Sequence, residues 1–412
     1  MMDTIVIKEY EELHIKDVRD ISRKIISKED AISLQSIIMN EEPIFKWGYK
    51  KLIAQHWVGT ISLKDLNIEI LPKLHGFVSD AQLRQVLTRM IIISHQNPSV
   101  REMPGMVMLE KNSLIEMLID AFLNSAERYI KEGLQHSYKK IDKNIAGVKG
   151  KILFNKQFTD NVLNPAMFWC RYSKFTPDNS INQFLKLCLL EMVKVSRDNQ
   201  NKHRIRYLLP VFDDIKCMTK EKALAKEIVF NSTNHRVEET YRYGKLFLQN
   251  MFSTLSAGDI SISMMLFDMN ALYELFIYRV SHMVFGTRAQ YQLRGNYLLQ
   301  REVDSKRFVG LRPDITIKRN DGRVDIIDTK WKIPSSFAKE TDTYQMNAYS
   351  TSIDGVERVF ILYPLVRDVQ LVDDYVFIDK SGIKRSLLIR TVDLMKIMEW
   401  RNFLTEFEST FS

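Results

Sequence analysis

Asn320-Asp321-Gly322 lies between two alternating stretches, and that pattern ties the segment to one conformation, a β-hairpin. In the first stretch, Ile315 and Ile317 fall on one side and Asp314, Thr316 and Lys318 on the other, the period of a strand. The second, Val324 to Lys330, is rich in β-branched residues and sets Asp328 and Lys330 on one side. Gly322 suits the left-handed position that closes a three-residue loop. The register then follows: Arg319 faces Arg323, and counting back, Asp314 faces Asp328. Directly opposed residues have Cβ atoms about 5 Å apart. Two carboxylates at that separation repel unless a cation lies between them. Oxygen donors favour a hard divalent ion, Mg²⁺ with Mn²⁺ as a substitute. Lys330 points to the same side, within reach of an ion-bound water or a phosphate. The three groups read as the centre of a metal-dependent phosphodiesterase.

Around this hairpin the chain reads as α+β and multidomain. Residues 1–105 are expected to form a β-rich domain: Trp57 to Leu63, a Lys64-Asp65 turn, then Asn67 to Leu71, ended by Pro72. A helix follows Asp80, with Leu83, Val86, Leu87, Met90 and Ile91 at helical spacing. Pro98, Pro104 and Gly105 mark a boundary. Residues 106–257 read as a helical middle domain, opening at Asn112 or Ser113 and carrying Leu114, Leu118, Ala121, Phe122 and Ala126 as its buried stripe. Further helices are expected at Asn182 to Val195 and Val237 to Leu255, with a break at Ser256 to Asp259. In residues 258–412, Asp268 or Asn270 caps a helix bearing Glu274, the hairpin follows, and a helix near Thr343 to Ser350 sets Gln345 and Tyr349 one turn apart. Val359 to Leu362 is a strand stopped by Pro364. Helix, strand, strand, helix, strand describes a small mixed sheet flanked by helices.

Several function classes fall away. The three cysteines are unclustered, as in a reduced protein of the cell interior rather than a disulfide or zinc scaffold, so a cytoplasmic location is expected. No apolar run approaches the ~20 residues of a membrane span, and the acidic start carries no signal-peptide pattern. Gly150-Lys151 is followed by Ile152 and Gly244-Lys245 by Leu246, so the phosphate-binding GxxxxGK[ST] pattern is missing. Any nucleotide hydrolysis belongs to another polypeptide. A net charge of +8 suits a polyanionic partner without establishing one. Basic residues near the hairpin (Arg294, Arg301, Lys306, Arg307, Arg312) are placed to follow a phosphate backbone.

Pro313-Asp314 with Asp328-Thr329-Lys330, Glu274 on the preceding helix and Gln345 with Tyr349 on the following one resemble the PD-(D/E)xK nuclease pattern. Trp57-Val58-Gly59 with Ile68-Glu69-Ile70-Leu71-Pro72-Lys73 resembles a stretch near the start of McrC proteins. Val148 to Ile152, Phe175 to Asn179 with Asn182, and Leu272-Tyr273-Glu274-Leu275-Phe276 resemble later blocks of that family. The resemblance implies the endonuclease subunit of a McrBC-type restriction system that cleaves methylated double-stranded DNA, with residues 258–412 as a PD-(D/E)xK α/β nuclease domain. It implies Asp314, Asp328 and the Thr329 carbonyl as Mg²⁺ ligands. Lys330 would orient the attacking water or stabilise the transition-state charge. Glu274 would join through a water or as ligand to a second ion, and Gln345 and Tyr349 would brace the site or touch the DNA backbone. The implied partner is an AAA+ GTPase of McrB type, engaged and stimulated by the N-terminal part of the chain, with a second nuclease subunit for double-strand breaks and no membrane. A stand-alone repair nuclease and a non-catalytic adaptor of a motor ring are the competing readings.

Overall fold

The strand Asp3–Lys8 runs parallel to Leu66–Leu71, which in turn pairs antiparallel with Trp57–Ser62. These strands come from a computed structural model that describes residues 3–35, 37–39, 41–74, 79–95, 113–255, 261–332, 340–365, 372–378 and 384–411. Leu66–Leu71 is buried along its whole length, as a strand covered on both faces must be. The same sheet continues through Ser261–Asp268 and Met251–Leu255, so the first and last parts of the chain share one ladder. Gly59 permits this join. It has a φ of +137°, and a Cβ there would lie 2.0 Å from the carbonyl oxygen of Met265. The apolar core of this part gathers Ile5, Ile7, Trp57, Ile61, Ile68 and Ile70 with Ile262, Met264 and Leu266.

The chain separates into two compact units, Met1–Met117 with Asn250–Ser412, and Leu118–Gln249. In sequence, the second unit lies between the two parts of the first. That middle segment departs from the all-helical expectation. It carries long helices, among them Leu114–Lys131, Ser180–Val195 and Glu238–Asn250, but also an antiparallel ribbon pairing Ser137–Ile145 with Phe168–Thr176. The ribbon is exposed along much of both faces, so no apolar alternation betrays it in the sequence. The helix expected to reach Leu255 stops at Asn250, and Met251–Leu255 forms a strand. The segments with Pro98, Pro104, Gly105 and Asn112, and with Ser256 to Asp259, lie outside the described residues.

The C-terminal half of the larger unit is built on a mixed six-stranded sheet in the order Ala289–Tyr291, Ile315–Lys318, Val324–Thr329, Val356–Pro364, Ser386–Val392, Asp373–Val376. Val324–Thr329 runs parallel to Val356–Pro364 and antiparallel to Ile315–Lys318. Pro364 is the last residue of its strand rather than the stop before it. The helix Met269–Phe285 is capped by Asp268, whose side chain accepts from the N–H of Asn270 at 2.8 Å. The helix Glu340–Ser352 packs Met346 and Tyr349 with Ile326, Val359 and Ile361 of the sheet.

Candidate active site

The hairpin has the register read from its loop. Ile315 pairs with Ile327 and Lys318 with Val324, while the Arg319 N–H donates to the Arg323 carbonyl at 2.8 Å. Gly322 takes a φ of +86°, which closes the three-residue loop. One step beyond the ladder, Asp314 comes opposite Asp328. Asp314 Oδ2 accepts from the backbone N–H of Thr329 at 2.7 Å and from its hydroxyl at 2.9 Å. Asp328 is fully buried. Its Oδ2 lies 2.7 Å from Lys330 Nζ, an ion pair without hydrogen-bond alignment, and its Oδ1 has no donor at all. Lys330 Nζ also donates to Gln345 Oε1 at 3.3 Å; Gln345 Nε2 donates to the Tyr349 hydroxyl at 2.8 Å, and that hydroxyl to the Arg312 carbonyl at 3.1 Å. Four expected residues thus form one connected chain, Asp328, Lys330, Gln345 and Tyr349, and Asp314 faces Asp328 across the hairpin with Thr329 bonded to it.

The electrostatics are those of crowded carboxylates. Burial, then the charges of Asp328 and Glu274, push Asp314 up to about 7 against the two bonds from Thr329. Burial also raises Asp328, with Asp342 and Glu274 adding to the rise and Lys330 opposing it. Burial works against the Lys330 ammonium, yet Asp328, Asp314 and Asp342 outweigh it and hold its proton more tightly than usual. Glu274 belongs to this field but is engaged by Gln292 Nε2 at 2.6 Å. Gln292 in turn accepts from Arg312, and its N–H donates to the Asp314 carbonyl at 2.8 Å. Among the described residues no three His, Cys, Asp or Glu side chains are gathered into an ion shell. Even so, the pair Asp314 and Asp328 fits a hard divalent ion. A buried carboxylate oxygen without a donor costs free energy, and both acids are raised in a way that a cation between them would relieve. Mg²⁺ retains several waters and needs only one or two carboxylates.

A family model described as "McrBC 5-methylcytosine restriction system component" matches residues 52–364. This chain belongs to the McrBC family. No curated protein matches it. Among solved structures, this McrBC-family chain is similar to one from a refined half-complex of a tetradecameric assembly of Thermococcus gammatolerans McrB AAA+ hexamers with bound McrC. The two are 17% identical, the match covers 98% of this chain and 99% of the other, and the TM-score is 0.65. At that identity the likeness speaks for the fold. A chain of the cryo-EM structure of the Thermococcus gammatolerans McrBC complex matches at 19% identity over 67% of this chain and 86% of its own, with a TM-score of 0.49.

The site of this McrBC-family chain also holds residues that the sequence did not single out. Asp342, buried on the helix Glu340–Ser352, pairs with Lys332 at 2.5 Å and adds its charge to the field at Asp328 and Lys330. Its signal was available: Asp342, Gln345 and Tyr349 fall at i, i+3 and i+7 on one helical face. Tyr291, the last residue of a short edge strand, and Gln292 just after it reach Glu274, and no local pattern marks them. Asp325, opposite in face to Asp328, is bound by Arg358 at 2.7 Å.

Proposed function

We propose that this chain is the endonuclease subunit of a McrBC-type complex that cuts modified double-stranded DNA with Mg²⁺, driven by a separate AAA+ GTPase. Its membership of the McrBC family and a fold shared with the McrB–McrC assembly support the restriction setting. The single observation that carries the cleavage chemistry is the pairing of half-buried Asp314 with fully buried Asp328, one oxygen left without a donor, beside an ammonium group.

Asp314 and Asp328, with the Thr329 carbonyl, would hold the ion. When bound, Mg²⁺ supplies a more acidic water and neutralises charge on the phosphate. Lys330 is a poor base, since its surroundings strengthen its hold on the proton. It serves instead as a fixed cation and donor facing the charge that grows on the phosphate oxygens. Gln345 and Tyr349 lock that ammonium in place through their chain of bonds. Glu274, tied to Gln292, strengthens the negative field from behind the pair. The ribbon of Asn296–Gln300 and Arg307–Leu311 leads directly into Pro313-Asp314 and exposes Arg307 and Lys306 beside Tyr297 and Phe308. Its cations are set to meet the sugar–phosphate backbone next to the scissile bond. Plasmid cleavage with an McrB-type GTPase, GTP and Mg²⁺ tests the reading. Asp328→Ala is expected to lose at least 100-fold in rate while remaining folded, and unchanged cutting would refute the assignment.

A further inference from the structure

Glu9 is a buried acid that the proposed chemistry does not use. It follows the strand Asp3–Lys8, more than 300 residues from the hairpin. Its two carboxylate oxygens accept from Nε1 of Trp331 at 3.0 and 3.1 Å, and Oε2 also accepts from the Lys73 N–H at 3.0 Å. The indole of Trp331 packs on Tyr273 with ring centroids 5.3 Å apart. Trp331 directly follows Lys330, and Tyr273 directly precedes Glu274. Glu9 therefore grips the chain neighbours of two site residues.

Burying a carboxylate in this way is costly. Desolvation pushes Glu9 up to about 7, against the bonds from Lys73 and Trp331. If packing alone mattered, an apolar side chain would fill the space, although Trp331 and Lys73 would lose their acceptor. The position of Trp331 supplies a reason for keeping the acid. The second hairpin strand ends at Thr329, and beyond it the Lys330 backbone N–H keeps one bond, to the Leu362 carbonyl at 3.0 Å. The next residue is then fixed by its side chain, through a charge-assisted bond of the stronger kind.

We infer that Glu9 is a positioning residue for Lys330, holding the end of the hairpin strand through Trp331 so that Nζ stays between Asp328 and Gln345. The catalytic consequence rests on the cleavage reaction proposed above, while the positioning itself does not. The test compares the purified full-length chain with Glu9→Leu, Glu9→Gln, Trp331→Phe and the double variant Glu9→Leu/Trp331→Phe. Two readouts are taken: plasmid cleavage with an McrB-type GTPase, GTP and Mg²⁺, and the rate of Lys330 acylation at fixed pH followed by mass spectrometry. Glu9→Leu is expected to cleave at least tenfold more slowly with DNA binding retained, and its Lys330 to react several-fold faster. Glu9→Gln keeps an acceptor oxygen and should stay within about threefold of wild type. The double variant should be no worse than Trp331→Phe alone, because both changes cut one link. A folded Glu9→Leu protein with unchanged Lys330 reactivity and cleavage overturns the inference, as do effects of the two substitutions that multiply. If Glu9→Leu does not fold, Trp331→Phe decides: unchanged Lys330 reactivity there overturns it. A wild-type chain that cuts no DNA would remove the proposed function, and Lys330 acylation would still decide the positioning.

Discussion

Asp328 sits fully buried with one oxygen that no donor reaches, so the Lys330 ammonium at 2.7 Å compensates its charge only in part. A trade between stability and activity follows. Asp328→Asn removes the charge at nearly constant volume, so the ion-free protein should unfold at a higher temperature than wild type while its cleavage collapses. A lower unfolding temperature would mean that the buried charge is better compensated than its neighbours suggest. The pH dependence has a definite sign. Asp314, raised to about 7 in the folded chain, holds a proton that the unfolded chain releases near 4. Its stabilising protonation is complete below about 4 and is lost as pH rises through about 7. Between pH 6 and 8 the ion-free wild type should therefore lose more stability than Asp314→Asn, by roughly 2–6 °C in unfolding temperature. Added Mg²⁺ should close most of that gap at pH 8. Equal slopes in a thermal-shift series would contradict the assignment.

Among the elements, the hairpin was the most legible because its turn chemistry and its alternation agree, and together they fix a register. Two glycines separate local demand from tertiary demand. Gly322 has φ +86° and open space around a would-be Cβ, so Gly322→Ala should cost only the backbone strain, about 1–2 kcal/mol. Gly59 meets the Met265 carbonyl oxygen, so Gly59→Ala should cost about 3 kcal/mol or more in denaturant unfolding. Equal costs would refute the close crossing. Capping at Asp268 and the face shared by Gln345 and Tyr349 were readable for the same local reasons as the hairpin. What escaped was set at a distance. Ser261–Asp268 becomes a strand because Trp57–Ser62 offers it an edge, a partner about 200 residues away, and Met251–Leu255 pairs in turn with Ser261–Asp268. The ribbon of Ser137–Ile145 and Phe168–Thr176 escaped because neither face is consistently buried. Glu274 was read as a possible ligand; its bond to Gln292 depends on a loop that no spacing rule reaches.

For the molecule as a whole, the β-rich beginning and the C-terminal end are one folded unit, with the middle segment between them in sequence. Strand Trp57–Ser62 and residue Glu9 both bind elements that flank the site, so the site depends on residues from both ends of the sequence. The division of labour proposed for a McrBC-type complex suits this arrangement. In that proposal a chain without the GxxxxGK[ST] pattern would supply the cutting, and a partner ring would supply nucleotide hydrolysis and the choice of DNA. The most direct measurement is Mg²⁺ titration by calorimetry into the purified chain and into Asp328→Asn, at pH 8 where Asp314 has lost its proton. Wild type should bind the ion and the variant at least tenfold more weakly; equal binding, or none to either, would contradict a metal centre on the hairpin.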